Sequence, residues 1–364
     1  MKEKLGGNEN IQLSQQEKFN GSFLGKDIVS VEQFTSREEL EKIFEISRIM
    51  REAIEKRSVP RILEGYCACL LFYQPSSRTF SSFSAAAKHL GANVVEIPGM
   101  TAYSSAVKGE SLSDTIRTFK QTTAADLIVL RHPEDSSSFE AARFSDVPII
   151  NAGSGRLEHP TQAVLDIYTI KEELGRIDDM TITFAGDLRN GRTVKSLALL
   201  LGMAGENIKM NFVSPEALKL PEGFRQRLEK RGVVVQEGNN EELQEAISSS
   251  DVLYVTRVQS EWFAKQALED ARKSLGDKAR GISDESLAIF AKELGVAEYK
   301  KAVEGYVINK NLIGKSNALV MHPLPRVDEI ATDVDDMPNA IYFQQMRYGL
   351  ESRMALLALV LGRI

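Results

Sequence analysis

The stretch 66–90, YCACLLFYQPSSRTFSSFSAAAKHL, decides the fold. Its first eight residues, 66–73, are an unbroken apolar run of strand length, the pattern of a strand buried on both faces. Pro75, Ser76 and Ser77 end that run, and from Thr79 to Leu90 the apolar residues recur at helical spacing. A doubly buried strand that turns directly into a helix is the building unit of a parallel sheet, whose strands need crossover connections. Working outward, 93–97, 127–131 and 147–151 read as further buried strands, with helices at 110–122 and 136–144 between them. Upstream, Ser36 and Glu39 have capping-box spacing ahead of an amphipathic run to about Lys56 that carries Leu40, Ile43, Phe44, Met50 and Ile54. A second series follows a helix at 160–174: strands at 181–185, 208–213, 233–236, 252–255 and 318–321. The apolar helical stretch 340–361 is placed to pack back on the first series. The expected fold class is α/β: two doubly wound domains with parallel sheets, joined by interdomain helices. The expected domains are a polar arm at 1–35, a first domain of 36–158 plus 341–364, and a second of 159–340. The charged, helix-like run 262–317 shows no strand until its end.

A length of 364 residues fits two such domains. The formal net charge of −6 opposes a nucleic-acid or anionic-membrane surface, which needs a broad face of Lys and Arg. Residues 1–26 lack the apolar core of a signal peptide or span, so a cytoplasmic chain is expected. The two cysteines, Cys67 and Cys69, fall on one face of the first strand, where reduced, buried thiols are expected rather than a disulfide or a metal site. No cofactor is expected.

Chemistry gathers where the strands end. Ser76-Ser77-Arg78-Thr79 brings hydroxyls, amide N–H groups and a guanidinium to a helix start, an arrangement suited to a phosphate. Taken alone, hydroxyls before a helix read as ordinary N-caps. Three of the four histidines precede proline, in His132-Pro133, His159-Pro160 and His322-Pro323, and each lies just past a strand, where open α/β sheets place ligands. Arg131 supplies a guanidinium for oxyanions, and His159 with Gln162 supplies donors for a carbonyl. The loop after the 181–185 strand, Gly186 to Thr193, lacks the G-x-G-x-x-G order of a dinucleotide loop but contains Arg192. Thr256-Arg257-Val258-Gln259 and His322-Pro323-Leu324-Pro325-Arg326 follow two further strands.

Together these segments resemble the aspartate carbamoyltransferase family, specifically its catalytic chain. The resemblance runs from about Ser36 to the C-terminus. It is strongest at 72–79, Val107-Lys108-Gly109-Glu110, 131–133, 151–166, 186–197, 254–259 and 322–345. It implies transfer of the carbamoyl group of carbamoyl phosphate to the α-amine of L-aspartate, a step of de novo pyrimidine biosynthesis. It also implies that Ser76, Ser77, Arg78 and Thr79, with Arg131, grip the phosphate. Thr79, Arg131 and His159 then face the carbonyl oxygen, and Gln162 binds the carbamoyl amino group. Arg192, Arg257 and Gln259 hold the carboxylates of aspartate, and the Leu324 and Pro325 backbone, joined by a cis bond, orients its amine. Ser104 and Lys108 lie on a loop that in the family reaches a neighbouring subunit's site, which implies a homotrimer with shared sites. A regulatory chain or dihydroorotase is a further possible partner.

The family turn usually reads S-T-R-T-R, whereas Ser77 and Phe80 stand at its second and fifth positions here. Phe80 thus removes a guanidinium beside the phosphate. Ornithine carbamoyltransferase shares the phosphate turn and the H-P-x-Q step, but has Cys where Pro323 stands and a Ser-Met-Gly loop that is absent here. A non-catalytic relative acting as an assembly partner is the other alternative, opposed by Arg78, Lys108, Arg131, His159, Arg192 and Arg257.

Overall fold

The structure is a computed structural model. It describes residues 13–14, 17–100, 109–258, 263, 267–268, 272, 289, 292–297, 299–300 and 306–364. Most of 262–317, together with Ser104, Lys108 and Gln259, lies outside the described residues. The chain divides into two compact units, 1–164 with 350–364, and 165–349.

Unit 1 begins with helix α1 (Arg37–Glu55), where Glu39 reaches back to the amides of Thr35 and Ser36 as its spacing predicts. Strand β1 (Cys67–Phe72) leads into α2 (Ser77–His89), and β2 (Asn93–Pro98) into α3 (Leu112–Thr123). Next come β3 (Leu127–His132), α4 (Ser137–Phe144), β4 (Ile149–Ser154) and α5 (Pro160–Leu174). All the strands are parallel, in the order β2-β1-β3-β4. Leu70, Leu71 and Leu127 through Leu130 are completely buried, as the unbroken apolar runs require. β4 runs three residues further than the apolar pattern suggests. The amide of Asn151 bonds the Val29 carbonyl and its side-chain oxygen accepts the Gly153 N–H, so a small, polar sequence stays in the sheet.

Unit 2 contains β5 (Thr181–Ala185), α6 (Arg192–Ala204), β6 (Lys209–Val213), α7 (Phe224–Glu229) and β7 (Val234–Gly238). Then follow α8 (Leu243–Ser248), β8 (Val252–Val255), α9 (Lys310–Ile313), β9 (Leu319–Met321) and α10 (Tyr342–Val360). Its sheet is also parallel, ordered β7-β6-β5-β8-β9. The chain crosses from one unit to the other within α5 and returns within α10.

The described part of the polar arm contributes side chains to the core. Phe19 and Phe34 are buried with ring centroids 4.8 Å apart, and Phe19 lies 4.5 Å from Phe23. Ile28 makes a parallel bridge to Ile150 and so prolongs the sheet beyond β4. Beside it, the Asp27 carboxylate accepts the Ile149 N–H at 2.8 Å, while burial pushes its pKa up to about 6. The fold therefore binds more protons than the unfolded chain between roughly pH 4 and 6, and stability falls as pH rises through that window. We expect Asp27→Asn, whose amide oxygen still accepts the Ile149 N–H, to stabilise the protein by roughly 2–3 kcal/mol at pH 8 and not at pH 4. Urea midpoints at the two pH values check this.

Both cysteines are free thiols, Cys69 buried and Cys67 half-buried at the start of the strand. Burial pushes Cys69 up to about 12, so it is an inert thiol.

Candidate active site

In unit 1 the turn after β1 and Arg131 on β3, and in unit 2 Arg192 after β5 and Arg257 after β8, fall where the strand order reverses. In unit 1 β2 flanks β1 on one side and β3 on the other, and in unit 2 β6 and β8 flank β5 in the same way. Ligands of open α/β sheets bind beyond the carboxyl ends of the strands at such switch points.

The turn after β1 is tied to β3 by the Tyr73 N–H, which donates to the Arg131 carbonyl at 2.8 Å. Ser76 is the N-cap of α2 in extended conformation (φ −160°), yet its hydroxyl makes no capping hydrogen bond. Ser111, by contrast, caps α3 in the ordinary way, its hydroxyl accepting the Asp114 N–H at 3.1 Å. The first turn of α2 carries no acidic side chain, and Thr79 is buried while Ser77 is exposed and Arg78 half-buried. The positive end of the helix dipole is thus surrounded by hydroxyls and a guanidinium with no carboxylate of its own, which suits a bound anion. Phe80, where the family pattern has arginine, packs edge-on against buried Phe72 with centroids 5.1 Å apart. It anchors the turn to β1 through the core.

Arg131, one residue before the end of β3, lies at a bulge. Leu130 pairs with Asn151 but His132 pairs with Ser154, so Ala152 and Gly153 together face Arg131, and its Nη1 donates to the Ala152 carbonyl at 3.2 Å. Gly153, at φ +114°, takes the left-handed conformation that the bulge needs. Past β4, the Glu158 carboxylate accepts the Ser30 hydroxyl and the Val31 N–H, both at 2.7 Å, and its backbone bridges Ser154. This pins the residue before His159. His159 and Gln162 are both buried at the start of α5, with Thr161 Oγ1 3.4 Å from the His159 Nδ1. Pro160 fills the first helical position, where its missing N–H costs nothing.

In unit 2, the tight loop Gly186 to Gly191 delivers Arg192, half-buried, to the first turn of α6, which carries no acidic side chain. Asp187 is completely buried and organises that loop by accepting the Asn190 N–H at 2.8 Å. Burial outweighs these hydrogen bonds and leaves its carboxyl above the usual range. Arg257 stands two residues beyond β8, on the strand next to β5. After β9 comes Leu324-Pro325, joined by a cis bond as the resemblance implies. Arg192, Arg257 and the Leu324-Pro325 backbone therefore hang from three adjacent strands. Among the described residues no group of His, Cys, Asp and Glu is placed to hold a metal ion, and no helix is long and apolar enough to cross a membrane.

The sequence reading missed Ser30, Glu158 and Glu329. Glu158 directly precedes the singled-out His159-Pro160, and Glu329 lies seven residues beyond His322 in the same loop. Nothing in their local pattern shows that they fold back.

Residues 26–172 match the family model for the aspartate/ornithine carbamoyltransferase carbamoyl-P binding domain, and 178–360 match that for the Asp/Orn binding domain. The chain belongs to the aspartate/ornithine carbamoyltransferase family. Among carbamoyltransferase relatives, it is 42% identical over 337 residues to the chloroplastic aspartate carbamoyltransferase of Arabidopsis thaliana, covering 92% of this chain and 77% of that protein. It is 45% identical over 344 residues to the multifunctional protein ura1 of Schizosaccharomyces pombe, covering 93% of this chain but only 14% of the length of that relative. Aspartate transcarbamoylase from Trypanosoma cruzi, solved in complex with carbamoyl phosphate and aspartate, superposes with a TM-score of 0.77 at 38% identity, covering 93% of this chain and 96% of that one.

Proposed function

We propose that this carbamoyltransferase moves the carbamoyl group of carbamoyl phosphate onto the α-amine of L-aspartate, giving N-carbamoyl-L-aspartate and phosphate for pyrimidine biosynthesis. The carrying observation is the start of α2, where Ser76 leaves its hydroxyl out of capping and no acidic side chain balances the dipole. That end takes the phosphate, gripped by Ser76, Ser77, Arg78 and Thr79 with Arg131. The uncharged amine attacks the carbamoyl carbon. A C–N bond forms, the C–O bond to phosphate breaks, and the phosphate departs with that electron pair and takes up the proton that the amine nitrogen loses. Thr79, Arg131 and His159 stabilise the negative charge that develops on the carbonyl oxygen, and Gln162 receives the carbamoyl amino group. Arg192, Arg257 and Gln259 hold the two carboxylates of aspartate. No side chain forms a covalent intermediate, and positioning and fixed dipoles supply the rate.

Aspartate is favoured over ornithine by Pro323 after His322 and by Arg257, whose guanidinium suits a carboxylate and repels an ammonium group. Phe80 does not favour a non-catalytic relative, because it serves the packing of the turn. The working assembly we propose is a cytoplasmic homotrimer in which Ser104 and Lys108 complete a neighbour's site, and the two unpaired thiols agree with a reducing compartment. A phosphate-release assay with each amino acid tests the reaction: turnover at least 100-fold faster with aspartate is expected, and faster turnover with ornithine overturns it.

A further inference from the structure

We infer that His322 and Glu329 are positioning residues that set the backbone of the 323–328 loop, and through it the alignment of the attacking amine. This rests on the reading of Leu324 and Pro325 as the amine's binding backbone. His322 is completely buried at the end of β9, and both its ring nitrogens are engaged. Nδ1 accepts the Leu324 N–H at 2.7 Å, which leaves the imidazole proton on Nε2. Nε2 then donates to the Glu329 Oε1, also at 2.7 Å. The second Glu329 oxygen accepts the N–H groups of Val327 and Asp328, each at 3.2 Å. One imidazole and one carboxylate thus bind three of the loop's amides and close it into a hydrogen-bonded ring. Burial pushes the Glu329 carboxyl up, but its hydrogen bond with His322 and those from the loop amides more than offset that, so it lies below the usual range and stays an acceptor.

Leu324 needs this support. Its φ of +53° is left-handed backbone, uncommon for a bulky side chain and kept only where surrounding groups over-determine it. The ring is in turn anchored deep in unit 2. The His322 N–H donates to Gln345 Oε1 at 3.0 Å, and Gln345 donates to Asp166 Oδ1 at 2.6 Å. The other oxygen of Asp166 accepts the Tyr254 hydroxyl at 2.7 Å. The loop is therefore fixed to α10, α5 and β8 at once, so the direction of the Leu324 carbonyl follows from groups that do not touch substrate.

The test compares the wild type with His322→Leu, His322→Asn and Glu329→Gln. Losing a buried hydrogen bond to an aligning group is expected to raise the aspartate KM about 10- to 100-fold in His322→Leu, with carbamoyl phosphate KM within about twofold of wild type. His322→Asn keeps an acceptor where Nδ1 stood and should recover most of that loss, while Glu329→Gln should lie between. Equal losses for both substrates, or no recovery with asparagine, overturn the inference. Imidazole ¹⁵N spectra of the unsubstituted protein give a readout free of folding defects: His322 must show the proton on Nε2, and a proton on Nδ1 overturns the pair. An unsubstituted protein that is inactive with aspartate sinks the proposed reaction instead, and the imidazole spectrum still decides the geometry.

Discussion

Arg78→Ala is expected to lower turnover by about 10²–10³-fold or more while leaving the fold intact. Arg78 is the only guanidinium in the first turn of α2, half-buried, between the uncapping hydroxyl of Ser76 and the buried hydroxyl of Thr79. Phe80 makes its role larger, because the arginine that the family places one residue beyond Thr79 is replaced by a ring packed on Phe72. No neighbouring guanidinium in the turn is left to take over the phosphate's charge. Folding should be indifferent to the change, since the helix is held by Phe83, Ala86 and Ala87, all completely buried. Steady-state phosphate release and a urea titration together make the check. Near-normal turnover, or a loss of activity accompanied by an equal loss of stability, would remove Arg78 from the phosphate-binding role. Arg78→Lys should fall between, because an ammonium keeps the charge and loses the planar fork.

The parallel sheets were legible because buried strands such as β1 and β3 carry unbroken apolar runs that no surface element tolerates. The turn after β1 was legible as a strand-to-helix turn that carries hydroxyls and a guanidinium, because these follow in order within a dozen residues. Two things were not. Local pattern hides side chains that act over distance: Glu158 reaches Ser30 across 128 residues and Gln345 reaches Asp166 across 179, and only the folded chain brings them together. Composition also misleads at the N-terminus. Phe19, Phe23 and Phe34 lie in a largely polar segment of turns that forms no α-helix or strand, yet they form one aromatic cluster. The role of Phe80 was hidden for a related reason. Its partner Phe72 lies eight residues back on a different element, so the sequence shows a missing arginine but not the packing that replaced it.

Gly186→Ala should cause the largest loss of stability of any alanine substitution at the described positive-φ glycines of unit 2. Gly186 leaves β5 at φ +115°, outside the regions an L side chain adopts readily. A Cβ built there falls on the Thr256 carbonyl oxygen, inside van der Waals contact, and 2.8 Å from the Thr256 hydroxyl. Neither neighbour can yield cheaply. The Thr256 N–H is bound to the Ala185 carbonyl at 2.8 Å, and the Gly186 N–H donates to the buried Tyr306 hydroxyl at 2.9 Å. Backbone strain of about 1–3 kcal/mol adds to an overpacking cost of similar size. For a unit of this length, that lowers the melting temperature by roughly 5–20 °C. Relief can come only by parting the ends of β5 and β8, which carry Arg192 and Arg257, so the aspartate KM should rise at least tenfold while that for carbamoyl phosphate changes little. Gly223→Ala is the matched control: φ is +83° there and a Cβ meets nothing within 4 Å, so it adds only the backbone strain. Thermal melts and the two KM values of both variants decide the matter. If Gly223→Ala proves as costly as Gly186→Ala, the close approach to Thr256 contributes nothing and the two strand ends are not held by it.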